Sequence, residues 1–224
     1  MSEHIDRFDP RETTQLDIRR LSPALVEAAR QLPSATLHEA AGKVGALPAA
    51  IKPAAPSFRV CGSAVPVHAP GGDNLWLHRA IYAAAPGDVL VVSVADAYEY
   101  GYWGEVMSTA ALVRQLGGLV IDACVRDGGL LEGIGFPVFA RGLAIQGTGK
   151  DFGARGWINA PTRMGGVTVH PGDLIVGDED GVVCIPHTSV ETVIAASHAR
   201  ETAEADQLRR LKAGETTLAI FGWE

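Results

Sequence analysis

Residues 86–127 constrain the fold more than any other part of the chain. Pro86-Gly87-Asp88 is a turn, and residues 89–94 after it are apolar and mostly β-branched, as in a strand buried on both faces. Gly101-Tyr102-Trp103-Gly104 reads as a loop. Residues 105–116 are strong helix formers, Gly117-Gly118 stops them, and residues 119–122 form a second buried strand. Strand, loop, helix and strand in that order make a βαβ unit. Such a unit requires parallel strands and places ligands beyond their carboxyl ends. Arg126-Asp127-Gly128-Gly129 falls at that position.

The flanking sequence is consistent with one α/β domain. Residues 1–20 lack a core-forming pattern and read as an N-terminal arm. Ser22 is placed to cap a helix through Leu32, and Ser34 another through Ala41. Pro48, Pro53 and Pro56 mark a loop, residues 58–68 a strand and residues 74–85 a helix. After an apolar run at 136–140 and a glycine-rich segment at 147–153, residues 167–170, 174–176 and 182–185 are short strands. Pro171-Gly172-Asp173 and residues 177–181 separate them, giving an antiparallel, hairpin-like piece. Residues 187–211 form one long charged helix, and an apolar tail follows at 217–223. The division is therefore an arm at 1–20, a domain at 21–186, and a C-terminal helix and tail at 187–224. An apolar end after a polar helix is expected to dock, on its own core or on another subunit.

Composition narrows the partners. Hydrophobic residues make up 47% of the 224 and charged residues 20%, enough apolar content for a large core. The net charge of −7 argues against binding a nucleic-acid backbone but leaves room for a local basic pocket. Cys61, Cys124 and Cys184 are scattered and odd in number, so they are expected as buried free thiols. The first residues carry no apolar signal core, and no long apolar run suggests a membrane span, so a cytoplasmic protein is expected.

Several familiar signatures fail. Gly147-Thr148-Gly149-Lys150 lacks the earlier glycine of a phosphate loop, and Asp151 stands where Ser or Thr is needed. No nucleophile elbow and no zinc-protease helix is present. Arg126-Asp127 differs from these. Glycines let a ligand approach the backbone. The Asp carboxylate is a hard ligand suited to Mg²⁺ or Mn²⁺, and the Arg fork suits a carboxylate or enolate oxygen. On the dipeptide alone, a structural ion pair in a turn is the plainer reading.

The context changes that reading. Gly104-Glu105 through Ala111, Gly118 through Asp127, residues 135–139, Gly147–Lys150, Pro171–Asp173 and residues 178–186 together resemble the 4-hydroxy-4-methyl-2-oxoglutarate/4-carboxy-4-hydroxy-2-oxoadipate aldolase family. Its wider superfamily includes the regulator of ribonuclease E activity A. The resemblance runs from about residue 30 to the end. It implies an α-β-β-α sandwich with a central mixed sheet, of the swivelling, phosphohistidine-domain-like type, assembled as homotrimers or hexamers with active sites between subunits. It implies a small anionic oxo-acid substrate cleaved to pyruvate with a divalent metal. Asp127 would hold the metal, largely through water, and Glu105 would bind those waters. Arg126 would contact the keto oxygen and the oxygen at the scissile side. The backbone of Gly101, Tyr102, Trp103 and Gly104 would receive the pyruvyl carboxylate, with Lys150 at the border. Glu201 or Glu204 would reach the site from the neighbouring subunit.

The chain also departs from that pattern. Ala219 replaces the usual acidic residue near the C-terminus. Residues 151–164 are bulkier and more charged than the family's short loop, and Tyr98, Tyr100, Tyr102 and Trp103 make the pocket loop aromatic. A metal-dependent oxaloacetate decarboxylase would share the same Arg126 and Asp127. A non-catalytic regulator would resemble relatives that lack the Asp matching Asp127.

Overall fold

The computed structural model describes residues 9–224, so residues 1–8 of the expected arm lie outside the described part. The rest of the arm lies along the domain. Ile18 is buried in the main core, and Thr13 Oγ1 donates to the Gly156 carbonyl at 2.8 Å.

The first helices follow local signals. The Ser22 hydroxyl accepts the Leu25 N–H, and Pro23 opens α1 (Pro23–Arg30). α2 (Ser34–Ala40) begins at Ser34, but the cap position is Pro33. Ser34 instead donates through its hydroxyl and its N–H to the Asp178 carboxylate, at 2.6 and 2.7 Å. β1 (Lys52–Pro53), β2 (Val60–His68), α3 (Leu75–Ala83), β3 (Val89–Ser93), α4 (Glu105–Val113) and β4 (Gly118–Ile121) follow. α4 stops earlier than its sequence suggests, because Gln115 adopts φ 58 ahead of the glycine pair.

Beyond β5 (Cys124–Val125) lies a helix that periodicity does not reveal, α5 (Gly128–Ile134). Three of its seven residues are glycine, the poorest helix former after proline. It buries Leu131 and ends at Gly135, where φ is 78. β6 (Val138–Ala140), β7 (Gly142–Leu143), β8 (Trp157–Ile158), β9 (Thr162–Met164), β10 (Val167–Val169), β11 (Leu174–Asp178), β12 (Gly181–Ile185), α6 (Val190–Lys212) and α7 (Thr217–Phe221) complete the chain. Among the described residues no helix is long and apolar enough to cross a membrane.

The main sheet runs β1-β6-β4-β3-β2-β11-β12, with β8 also paired to β2. β2, β3, β4 and β6 are parallel, while β1, β8, β11 and β12 join antiparallel. The fold is therefore a mixed α/β fold built on a central mixed sheet. The expected antiparallel piece divides in two. β11 and β12 extend the main sheet beside β2, whereas β9 and β10 form a separate hairpin.

Alternation along β11 and β12 separates two cores. Ile175, Val182 and Cys184 join the main cluster. Leu174, Val176, Val183 and Ile185 point the other way and pack with α1, α2 and α6 through Ala29, Leu37, Val193 and Ile194. Cys61 and Cys184 are buried and Cys124 half-buried, all as free thiols, and burial pushes the Cys61 thiol up to about 11. The apolar tail does not enter the chain's own core. Leu218, Phe221 and Trp223 are exposed, with the last two rings stacked at 4.6 Å.

The two Pro-Gly-Asp turns share one design. Gly87 and Gly172 both take φ +83, and both aspartates are buried. Asp173 accepts the His170 and His187 N–H groups at 2.8 and 2.9 Å. Asp88 accepts the Ala85 N–H and a two-pronged contact from Arg20 at 2.9 Å, which ties the N-terminal segment to the mouth of β3. Removing a buried carboxylate leaves the guanidinium and the turn N–H without their acceptor. Asp88→Ala is therefore expected to cost roughly 2–3 kcal/mol of stability, read as a lower urea midpoint at unchanged slope. An unchanged midpoint would show that this contact does not hold the segment.

Candidate active site

Three strands of backbone run side by side past the end of β4. Cys124 N–H donates to the Tyr98 carbonyl, Arg126 N–H to Trp103, Ala144 N–H to Val125, and Gly101 N–H to Gln146, all between 2.8 and 2.9 Å. This lacing brings loop 98–104, segment 124–127 and segment 142–150 together. Between them and the starts of α3 and α4 lies a cleft of about 210 Å³. Gly101, Tyr102, Trp103, Gly104, Arg126, Asp127 and Lys150 all line it.

Asp127 sits in left-handed backbone at φ 59, a conformation Asp tolerates better than most residues. It is the residue before α5, yet its side chain does not cap that helix. Its Oδ2 instead accepts the Glu105 N–H at 2.9 Å, at the first turn of α4, where the helix dipole favours a carboxylate. Arg126 Nε lies 3.8 Å from the same oxygen, and both side chains remain partly exposed. Gly104 makes this geometry possible. A Cβ there would collide with Asp127 Oδ2 and come within 3.0 Å of Arg126 Cγ.

The loop in front of α4 leaves donors unused. The N–H groups of Trp103, Gly104, Val106 and Met107 have no acceptor among the described residues, and all four residues line the cleft. Backbone N–H groups clustered at a helix start form an anion cradle. The side chains of Tyr102 and Trp103 face inward instead, while Tyr98 and Tyr100 are half-buried. Tyr102 donates its hydroxyl proton to the Ala97 carbonyl and accepts the Gly72 N–H, both at 2.7 Å. Trp103 donates to Ser108 Oγ at 2.8 Å and stacks on Phe136. Tyr98 lies beneath the Arg141 guanidinium, 4.0 Å from its ring centre. The expected aromatic pocket loop therefore turns Tyr102 and Trp103 to the interior, and there its backbone is what faces the cleft.

The structure places the remaining expected residues unevenly. Lys150 Nζ donates to Asn74 Oδ1 at 2.5 Å, and Asn74 Nδ2 donates to the Tyr102 carbonyl at 2.8 Å. Asp73, buried, accepts the Leu75 and Asp151 N–H groups and so fixes the loop that carries Lys150. Glu105 contributes its amide to Asp127, but its side chain is exposed and does not line the cleft. Glu201 and Glu204 lie on the solvent side of α6, paired with His198 and Arg200, away from this cleft within one chain.

Val106, Met107, Gly147 and Thr148 also line the cleft from within the motifs read in the sequence, whereas Asn74 and His78 lie outside every one of those motifs. They stand four residues apart at the start of a helical stretch, a spacing that puts both on one face and was the available signal. Burial, and then the charge of Lys150, pushes the His78 imidazole below its ordinary range, which favours the neutral ring. Arg126 and Lys150 against one Asp127 leave the cleft with an excess of positive charge, suited to an anionic ligand. Gly104→Ala is expected to push the Asp127 carboxylate off the α4 start and to destabilise the fold by about 1–3 kcal/mol, read by chemical denaturation. A variant as stable as the parent would mean that Asp127 is free to move.

A mixed α/β sheet with a positively charged cleft of glycine backbone, Arg and Asp beyond a parallel strand defines the class as an α/β protein with a cleft suited to an anion. Comparison with known proteins gives the family. Residues 23–184 match the RraA-like family model, described as Aldolase/RraA, and the chain belongs to this family. A Halalkalibacterium halodurans protein named "Putative 4-hydroxy-4-methyl-2-oxoglutarate aldolase" is 35% identical over 191 residues, covering 82% of this chain and 90% of that one. An uncharacterized protein of Pseudomonas syringae pv. tomato has a solved structure similar to this one at TM-score 0.79 and 26% identity, covering 93% of this chain and 97% of that one. Streptomyces coelicolor RraAS2, described as an unusual member of the RNase ES inhibitor RraA protein family, shares the fold at TM-score 0.74 and 23% identity, over 85% of this chain and 98% of that one.

Proposed function

We propose that this chain is a divalent-metal-dependent lyase that cleaves 4-hydroxy-2-oxo di- or tricarboxylic acids to pyruvate and a second oxo acid. The observation that carries the reading is the convergence of Arg126, Asp127 and the four unused N–H groups of Trp103, Gly104, Val106 and Met107 on one cleft. An RNase-inhibitor-like binding protein is the second reading, and it has no use for a carboxylate held beside an Arg in a positively charged cleft.

The donor set fits Mg²⁺ or Mn²⁺, which keep several waters and take few protein carboxylates. Asp127 offers one partly exposed carboxylate, whose Oδ1 has no partner among the described residues, and Glu105 is the adjacent acidic residue. When bound there, the cation would supply Lewis-acid stabilisation of the negative charge that cleavage places on the oxo acid. The chain's own residues do the rest. The N–H cradle holds the carboxylate next to the ketone. The Arg126 guanidinium donates to the 2-oxo oxygen, where charge accumulates as the C3–C4 bond breaks and its electron pair moves into the pyruvate enolate. The proton of the 4-hydroxyl leaves to water held beside the Asp127 carboxylate. Lys150, fixed by Asn74, meets a distal carboxylate. Proton return to C3 releases pyruvate.

Pyruvate release from a panel of 4-hydroxy-2-oxo acids and oxaloacetate, with and without added Mg²⁺ or Mn²⁺, tests the reaction. Asp127→Ala should abolish turnover while the fold persists, and full turnover of metal-stripped protein would defeat the metal dependence. Arg126→Lys should lose ~10²–10³ in kcat, since a point charge does not replace the planar fork. A lysine variant with parental kcat would remove Arg126 from the transition state.

The same reading includes assembly as a trimer or a pair of trimers, with residues 187–224 at a subunit boundary and Glu201 or Glu204 approaching a neighbour's cleft. The exposed Leu218, Phe221 and Trp223 support it. Burying each would contribute roughly 1.5–3 kcal/mol. Truncation after Gly214 should lower the mass seen by light scattering. A monomeric full chain would end the proposal, and an unchanged assembly after truncation would assign it to another surface.

A further inference from the structure

A second cleft, of about 530 Å³, shares no lining residue with the one at Arg126. It lies at the carboxyl ends of three adjacent parallel strands. His68 is the last residue of β2, Ser93 the last of β3, and Asp122 follows β4. This is where open α/β sheets bind ligands. Its outer wall comes from residues 157–165, within and just beyond the segment whose bulk and charge depart from the aldolase pattern.

The polar groups on its floor form a chain. Ser93 Oγ lies 3.0 Å from His68 Nδ1 and 2.7 Å from Thr162 Oγ1. With Ser93 donating to Nδ1, the neutral ring carries its hydrogen on Nε2 and remains a donor. Burial holds His68 below its ordinary range, which favours that neutral ring. The indole of Trp157 stacks on His68 at 4.0 Å, and its buried Nε1 has no acceptor among the described residues. Counting Arg141, which neutralises Asp122 from outside the lining, the charges balance. Asp122 is paired with Arg141 at 2.7 Å, Asp96 accepts the Tyr98 hydroxyl at 2.5 Å, and Arg163 adds the second cation. Each carboxylate still has lone pairs for a hydroxyl proton.

A site with no net charge, several hydroxyl-sized donors and acceptors and an aromatic wall selects an uncharged, hydroxyl-rich molecule rather than an oxo-acid anion. Its volume is ample for a small cyclic ligand. We propose that this cleft is a second binding site, specific for an uncharged polyhydroxylated ring compound of about monosaccharide size, and that the 157–165 segment creates it.

The test uses the full chain labelled with ¹⁵N, following the Trp157 indole resonance, assigned by its loss in Trp157→Phe. D-glucose, D-ribose and myo-inositol are titrated, with pyruvate as the anionic comparison. The expected result is a saturable shift with at least one of the three polyols and none with pyruvate. The paired change Ser93→Ala with Thr162→Val should weaken that binding about tenfold, as the loss of one or two hydrogen bonds implies. Should the pair not fold, Thr162→Val alone should weaken it in the same direction. No shift with any polyol, an equal or stronger response to pyruvate, or parental affinity in the folded variant would each overturn the proposal. None of these outcomes depends on pyruvate-releasing activity, so the proposed lyase reaction stands or falls separately.

Discussion

The parallel register of β2, β3 and β4 is the constraint on which both clefts rest. Ala64 pairs with Val89 and Val89 with Gly118, so β3 and β4 start level beside the middle of the longer β2, and Val67, Val92 and Ile121 bring the three strands to the same height at the other end. Beyond that height the chain must turn, and peptide groups that leave the sheet need new partners. It meets this need in two ways. Past β4, loop 98–104 and segments 124–127 and 142–150 exchange hydrogen bonds as a small continuation of the sheet, and the cleft at Arg126 opens among them. Past β2 and β3, the last side chains take over, and His68, Ser93 and Thr162 satisfy one another.

Electrostatics and backbone conformation are coupled at Asp127. Left-handed backbone at φ 59 turns its carboxylate away from α5 and toward the first N–H of α4. The absence of a side chain at Gly104 leaves room for that carboxylate. The start of α4 thus has two different uses. Its amide at Glu105 orients a fixed anion, and the N–H groups on either side stay open for a mobile one. An Arg in place of Gly104, or an extended Asp127, would leave the same residue types without the arrangement.

The parts of this structure legible in the sequence are those where side-chain pattern and local geometry coincide. The apolar β-branched runs became β2, β3 and β4, and Ser22 followed by Pro23 became a capped helix start. Seven of the eight expected site residues came together because glycine spacing and short loops between elements fix backbone positions closely. The misses have physical causes. α5 is hidden by its glycines and is held by burial of Leu131 and by its neighbours rather than by propensity. Ser34 carries a cap signal, but the buried Asp178 is a stronger acceptor for its hydroxyl than α2 is a donor to it. Tyr102 and Trp103 sit on a loop whose aromatic content suggested a pocket wall, whereas large rings next to a core are drawn into it. Asn74 and His78 come from a helix that precedes the βαβ unit in sequence, and only tertiary packing brings them beside Lys150.

The division of labour between the two clefts follows from what each has available. At the Arg126 cleft much of the lining is main chain, so side-chain identity matters chiefly at Arg126, Asp127 and Lys150, and the absence of a side chain at Gly104 is part of the geometry. At the His68 cleft the lining atoms are side chains at the ends of three strands and from segment 157–165, of which Trp157 and Ile158 are tied to β2 while residues 161–165 lie outside the main sheet. Substitution there alters shape and hydrogen bonding while leaving β2, β3 and β4 in register. One fold thus offers one cleft built mainly from backbone and a second built mainly from side chains, and the two respond differently to substitution.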